Sequence, residues 1–211
     1  GVNAGGNINT GTYNVIMGTY ALDTNTTASY NVAIGTSALT ASTFGTQNVA
    51  IGHEAGSWIS TGDNNIVIGY KAMLKSSESG TPNMTGNSNI VIGGRSPNNV
   101  NSGGGLTTGY SNVLIGEAVG IWSVGITSGF GLNCIGSHTT ASVGTGSLEN
   151  CIGYNVQNQN GTGTTTLGTY NNWASISHGS SAALTGGTSD QRLKENIANA
   201  TAGLGFINDL T

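Results

Sequence analysis

The chain has 211 residues, a net charge of −4 at pH 7 and a composition unlike that of most enzymes. Glycine fills 36 positions, and only 7% of the residues are charged, against about 25% in an average soluble domain. With five Lys and Arg against nine Asp and Glu, the chain lacks a basic surface for phosphates, so we expect neither nucleic acid nor an anionic membrane as a partner. The hydrophobic residues fall into short Val/Ile clusters, which favours an ordered chain.

The cysteines and histidines give no metal-site pattern. Cys134 and Cys151 are too few for a disulfide framework, and no histidine lies at ligand spacing from them. His53, His138 and His178 fit no zinc motif, and the glycine-rich stretches lack the lysine of a phosphate-binding loop. We therefore predict no metal and no cofactor. The chain begins without a signal-peptide pattern and has only short apolar runs, so we also expect no membrane insertion and an internal piece of a longer protein.

A short motif, NVAIG in its clearest form, recurs along residues 1–170. It occurs nine times and ends at Gly18, Gly35, Gly52, Gly69, Gly93, Gly116, Gly136, Gly153 and Gly168. The first four copies are 17 residues apart, and in eight of the nine a second glycine lies seven residues before the last one. β-prone residues between two glycines predict a short strand with a turn at each end. The repeat therefore predicts an all-β solenoid of about nine coils, a parallel β-roll or β-helix.

Both faces of each predicted strand are apolar. Val49 and Ile51 share one face, which we expect to form the core of the coil, and Ala50 points the other way. The middle positions of successive strands are Ile16, Ala33, Ala50, Val67, Val91, Leu114, Cys134 and Cys151. Since a coil of about 17 residues has one interior, we predict that this middle row packs against further copies of the chain in a central seam.

Two other recurring positions have structural interpretations. A small or apolar residue three places after the last glycine, such as Ala38, is expected to build the second wall of the coil. Asparagines at the start of the strand, such as Asn48, are expected to stack into a ladder joined by amide hydrogen bonds. In the degenerate copies Asn133 and Asn150 are shifted by one place and occupy the position of Val49.

The phrase NVAIGTSAL, followed after a turn by NVAIGHEAG, resembles the head repeats of trimeric autotransporter adhesins and the related repeats of phage tail fibres. The resemblance covers residues 1–170. It implies parallel β-coils held in a homotrimer.

The segment TSDQRLKENI, residues 188–197, resembles the opening of the self-cleaving intramolecular chaperone of phage tail fibres and tailspikes, of the endosialidase type. That resemblance implies a domain that trimerises the fibre and then cuts between Ser189 and Asp190, with Ser189 as nucleophile and Lys194 as its base. A serine hydroxyl needs such a base before it can attack a carbonyl. The alternative is a helix start with Ser189 or Asp190 as N-cap.

The two resemblances divide the chain into three parts. Residues 1–170 form the repeat rod, residues 171–188 a linker, and residues 189–211 the truncated start of the chaperone, a short helical segment. Because the chain ends at Thr211, we expect the 211-residue chain alone neither to direct its own trimerisation nor to cut itself.

Candidate receptor contacts lie where the repeats lengthen. The gaps after Gly69 and Gly93 predict two neighbouring protrusions carrying Tyr70, Lys71, Lys75 and Arg95. These residues are our candidates for contact with a glycan or protein on the host cell surface, although plain surface decoration is the interpretation that the sequence favours for the protrusions. The carboxylates are scattered singly and suggest no glycosidase pair.

The two resemblances together imply the extracellular part of a virion, a homotrimeric tail fibre or tailspike that presents a receptor-binding surface. It is expected to be no enzyme beyond a single self-cleavage. A bacterial trimeric adhesin head and a glycan depolymerase with a site between subunits remain as alternatives.

Overall fold

A computed structural model gives the fold of residues 1–24, 27–74, 84–94, 106–119, 128–141, 147–158, 161–169, 172–177 and 184–186. These described residues form one sheet of eleven strands and contain no helix. The strands are β1 (Val15–Met17), β2 (Val32–Ile34), β3 (Val49–Ile51), β4 (Ile66–Ile68), β5 (Ile90–Ile92), β6 (Val113–Ile115), β7 (Asn133–Ile135), β8 (Asn150–Tyr154), β9 (Thr164–Thr169), β10 (Asn172–Ser177) and β11 (Leu184–Gly186). The predicted all-β class is thus confirmed, and the predicted helical segment lies outside the described residues.

The sheet is parallel for most of its length. Strands β1 to β9 pair in sequence order and in register, so that Ala33 pairs with Ala50 and Ala50 with Val67. Each repeat contributes one strand and returns to start the next, which makes the fold a β-solenoid, as predicted. Strands β10 and β11 lie in the segment predicted as a linker, and they extend the sheet in the antiparallel sense.

The last glycine of each motif is required by two features of the coil. Gly52 has a φ of 132°, a backbone conformation that L side chains rarely adopt. A Cβ at Gly52 would also lie 2.5 Å from the carbonyl oxygen of Gly69 in the next rung. The glycines therefore let the chain leave the strand sharply while the rungs keep their close spacing.

The middle residues of the strands form the interior of the coil. Those from β2 to β8 are fully buried within a single chain: Ala33, Ala50, Val67, Val91, Leu114, Cys134 and Cys151. They pack in one cluster against the predicted second wall, where Ala38, Ala55 and Ala72 are also fully buried. The second wall is confirmed by this packing.

The predicted assignment of the two strand faces is wrong. Val49 and Ile51 were expected in the core, but Val49 is only half-buried and Ile51 is 37% exposed on the outside of the coil. Ala50, expected in a seam between chains, lies inside its own coil. Because both faces are apolar, alternation alone could not orient the strand. The middle residue is the inner one in every strand from β2 to β8, whether it is small, as at Ala50, or large, as at Leu114.

The asparagine ladder is confirmed: the side chains bond to backbone groups of neighbouring rungs and, from Asn48 to Asn112, also to one another. The Asn48 Oδ1 accepts the backbone N–H of Asn65 at 2.9 Å, and the Asn48 Nδ2 donates to the carbonyl oxygen of Gly62 at 2.8 Å. Asn31, Asn48, Asn65, Asn89 and Asn112 are all fully buried. Each amide ties the start of one strand to the next rung, which fixes the register of the stacked coils.

Candidate functional site

Two features of the outer surface can support binding, and the first is an apolar face. We use the name outer stripe for the outward-facing residues of β1 to β6: Val15, Met17, Val32, Ile34, Val49, Ile51, Ile66, Ile68, Ile90, Ile92, Val113 and Ile115. Five of the twelve are exposed, from 36% at Ile92 to 64% at Met17, and the other seven are half-buried. None carries a charge. The outer stripe is therefore a continuous apolar surface running along the rod.

The outer stripe becomes partly polar towards its C-terminal end. Asn133 pairs with Val113 and with Asn150, as the shifted motif predicted. The Asn133 Nδ2 donates to the Asn150 Oδ1 at 2.8 Å, and the Asn150 Nδ2 donates to the Thr165 Oγ1 at 3.0 Å. Amide pairs replace one of the two apolar columns here, while Ile135 and Ile152 continue the other.

The second feature is a cluster in the turns that follow β3 and β4, which we name the turn cluster: His53, Glu54, Tyr70 and Lys71. The rings of His53 and Tyr70 stack with centroids 5.4 Å apart and an interplanar angle of 22°. The Lys71 Nζ lies 3.2 Å from the Glu54 Oε2 and 5.7 Å from the centroid of the Tyr70 ring. Two of the four predicted receptor residues, Tyr70 and Lys71, thus share one surface cluster, in which His53 and Tyr70 are the exposed members.

The backbone of the turns holds these side chains side by side. Glu54 and Lys71 occupy equivalent positions of successive rungs and have φ values of 55° and 54°. The Lys71 N–H donates to the carbonyl oxygen of His53 at 2.9 Å, which repeats the bond of the rung before. The Glu54 and Lys71 side chains are 28% and 15% exposed, so their ion pair lies partly sheltered from water. The Tyr70 residue remains 52% exposed and available for contact.

Two thiols are stacked inside the coil near its C-terminal end. Cys134 and Cys151 pair in register on β7 and β8, and both are free and fully buried. The pKa of the Cys134 thiol is raised well above its usual value by its hydrogen bond with Cys151, by burial, and by the charges of Cys151 and Glu149. A thiol held in its neutral form is a poor nucleophile. Both thiols also belong to the buried cluster inside the coil, so we assign the pair to packing.

Five of the predicted site residues lie outside the described residues: Lys75, Arg95, Ser189, Asp190 and Lys194. Their proposed roles stay predictions.

The sequence analysis missed His53 and Glu54 as members of the site. Each lies 17 residues, one repeat length, before Tyr70 and Lys71. Counting positions from the last glycine of each motif would have placed the two pairs next to each other.

Among the described residues, no three His, Cys, Asp or Glu side chains are grouped closely enough to hold a metal ion. The described part of the chain also contains no helix that is long and apolar enough to cross a membrane.

Comparisons of the chain with protein-family models, with curated proteins and with solved structures found no match.

Proposed function

We propose that the chain is the homotrimeric rod of a phage tail fibre or tailspike, which holds a receptor-binding surface outside the host cell. The observation that carries this proposal is the outer stripe. Twelve apolar side chains in six successive rungs, none of them charged, face outwards from a single chain. A contiguous apolar surface of this kind is rare on a monomer and favours a protein partner.

A second copy of the same chain is the partner that fits the outer stripe best. Strands in the rod repeat about every 4.8 Å, so only a partner with the same repeat can meet every rung with an equivalent contact. Another copy in the same direction offers Val and Ile side chains at that spacing. The outer stripe has no charged side chain, and the chain as a whole has few. Two outer stripes can therefore pack together without burying an unpaired charge, which would be costly.

We propose three chains in the assembly because the NVAIG repeats resemble those of trimeric fibres. Three rods with their outer stripes around one axis would bury the stripes together, and the opposite wall of each coil would face solvent. The predicted seam therefore keeps its place in the proposal, but Val49 and Ile51 line it, and Ala50 does not.

The turn cluster is the described part of the proposed receptor surface. Tyr70 and Lys71 are positioned by the rigid ladder of the rod and directly precede the first long insertion. Exposed aromatic and charged side chains on turns of a rigid scaffold are typical of binding surfaces. The partner is a glycan or protein of the host surface.

Maturation by self-cleavage belongs to the same proposal. A chaperone that begins at residue 189 would bring three chains together and then leave by cleavage between Ser189 and Asp190. Apart from this single event, the rod binds and does not turn over a substrate.

A cell-binding experiment tests the proposal. The 211-residue chain is fused after Thr211 to a trimeric coiled coil through a cleavable linker, labelled, and incubated with a panel of bacterial strains. Saturable binding to one or more strains, reduced by excess unlabelled rod and absent with the coiled coil alone, is the expected result. Binding to no strain, or binding that the unlabelled rod does not reduce, would overturn the receptor-binding role.

A further inference from the structure

One column of residues passes through the turn cluster from rung to rung. His53, Tyr70, Gly94 and Glu117 are the residues that directly follow the last glycine of four successive motifs. The strand registers place them in line, since Ile51 pairs with Ile68, Ile68 with Ile92, and Ile92 with Ile115. Because His53 stacks on one face of the Tyr70 ring, the other face points to the rung of Gly94.

The column has a gap at Gly94, which has no side chain. A Cβ placed on Gly94 would lie 3.4 Å from the Tyr70 carbonyl oxygen and 3.9 Å from the Tyr70 Cβ, so Gly94 sits directly beside Tyr70 in the ladder. Glu117, one rung further, is exposed. Two rung spacings separate Tyr70 from Glu117, roughly 10 Å. We name the space between them the slot.

The other stacked aromatic pairs show no such gap. Tyr13 stacks on Tyr30 at 5.0 Å, and the next residue in that column is Gln47. Tyr110 stacks on Phe130 at 5.2 Å, and the next rung there supplies Ser147. Among the described residues, no side chain follows Tyr70 in its column at the next rung, whereas the two other pairs are followed by side chains.

The size and chemistry of the slot suit a sugar ring. Atoms in van der Waals contact lie about 3.5–4.0 Å apart, so a space of roughly 10 Å holds one ring between the tyrosine and a further side chain. The apolar C–H face of a pyranose can cover the open face of Tyr70, and its hydroxyls can donate to the Glu117 carboxylate. Charge-assisted hydrogen bonds of this kind are stronger than neutral ones.

The charges of the described residues around the slot disfavour an acidic sugar. Glu117 lies at one end, and Glu54 lies beside the other, where it already pairs with Lys71 at 3.2 Å. A carboxylated sugar would meet acidic groups and find its nearest described cation occupied. A neutral or amino sugar meets no such repulsion from the described residues around the slot.

We propose that the slot binds a neutral or amino hexopyranose ring of a host-surface glycan. This inference rests on the proposed receptor-binding function and names its ligand class. Tyr70 supplies the stacking face, Gly94 the space, and Glu117 the hydrogen-bond acceptor.

Binding of methyl hexopyranosides, N-acetylglucosamine and glucosamine to the coiled-coil fusion tests the proposal, with saturation-transfer NMR as the readout and glucuronic acid as the acidic comparison. Gly94→Phe is the sharpest variant. It fills the slot without backbone strain, because Gly94 is not in the left-handed region. Tyr70→Ala removes the stacking face. Tyr30→Ala, in a different aromatic column, is the matched control, and a thermal melt of each variant verifies its fold.

We expect at least one neutral or amino sugar to bind and glucuronic acid to bind more weakly. Gly94→Phe and Tyr70→Ala should each weaken sugar binding by roughly tenfold or more, and Tyr30→Ala should leave it unchanged. Absence of binding by the whole panel, or unchanged binding by a folded Gly94→Phe variant, overturns the slot. A rod that binds host cells but none of these sugars refutes the slot alone. A rod that binds no cells refutes the receptor-binding function itself.

Discussion

Ala50 and Ile51 are consecutive residues of β3 with opposite environments: Ala50 is fully buried inside its own coil, whereas Ile51 is 37% exposed on the outer stripe. The same alternation repeats in register along the parallel strands. One face of the sheet therefore stabilises the coil of a single chain, and the other face is free to hold chains together. Substitutions at the two positions separate these roles.

An aspartate at Ala50 should unfold the rod, and an aspartate at Ile51 should leave the coil folded but separate the chains. Ala50→Asp buries an unpaired charge in the interior, at a cost of several kcal/mol. Ile51→Asp leaves its charge in water until chains meet, where copies of the charge would face one another. Circular dichroism measures the fold and native mass spectrometry the assembly. Equal loss of β-structure in both variants would contradict the assignment of the faces.

Asn65→Ala should destabilise the rod by about 2–4 kcal/mol, because it leaves two buried backbone groups without their partner. The Asn65 Oδ1 accepts the N–H of Asn89 at 3.0 Å, and the Asn65 Nδ2 donates to the Gly86 carbonyl oxygen at 3.0 Å. Urea unfolding measures the change. Asn7→Ala, which removes an exposed side chain with a bond to the Asp23 carbonyl, is the control and should cost under about 0.5 kcal/mol. Similar losses in both variants would mean that the buried ladder adds no stability.

Gly52→Ala should be far more destabilising than Gly94→Ala. The backbone φ of Gly52 is 132°, and a Cβ added at this position would lie 2.5 Å from the carbonyl oxygen of Gly69. Gly94 lies outside the left-handed region, and its nearest such contact is 3.4 Å. Thermal melts should show a clear fall for the first variant and little change for the second. A mild effect at Gly52 would mean that neighbouring rungs can move apart easily.

The raised pKa of Cys134 predicts a loss of stability at alkaline pH. The folded rod favours the neutral thiol, so its stabilising contribution is complete below the pKa of the unfolded thiol, about 8.5, and is lost as pH rises towards the folded pKa. The urea midpoint of the wild type should therefore fall between pH 8 and 10 by more than that of Cys134→Val, which places in β7 the residue type found in β4 and β5. Parallel curves for the two proteins would show that the thiol does not contribute.

Self-cleavage is predicted from the sequence motif of residues 188–197. When the chain is extended by a complete chaperone, mass spectrometry should detect cleavage between Ser189 and Asp190. Ser189→Ala and Lys194→Ala should each leave the chaperone attached without preventing assembly, because folding precedes cutting. If the folded wild-type protein stays intact, the self-cleavage prediction is wrong, and the alternative role of Ser189 as a helix N-cap is favoured.

Much of the fold follows from the spacing of glycines and asparagines. Gly52 and Gly69 set the repeat, and Asn48 marks where each strand begins, so the parallel register could be predicted without coordinates. The shift of Asn133 into the position of Val49 could also be predicted from the sequence, because the two glycines that flank the motif keep their spacing.

The orientation of the strands could not be read in the same way. Val49, Ala50 and Ile51 are all apolar, and hydrophobicity does not distinguish an interior from an interface between chains. The orientation appears only in the fold, where Ala50 packs in one buried cluster with Ala55 of the second wall. The slot beside Tyr70 could not be predicted from sequence motifs for another reason. It is formed by the missing side chain of Gly94, and motif analysis looks for side chains that are present.

The measurement that tests the central claim most directly is the mass of the rod after its coiled coil is removed. The fusion holds three chains together during folding, and cleavage of the linker leaves only the contacts of the rod. The account predicts that native mass spectrometry will find an assembly of three 21.1 kDa chains for the wild type and separate chains for Ile51→Asp. Dissociation of the wild type into single folded chains would show that the outer stripe does not join copies of this protein.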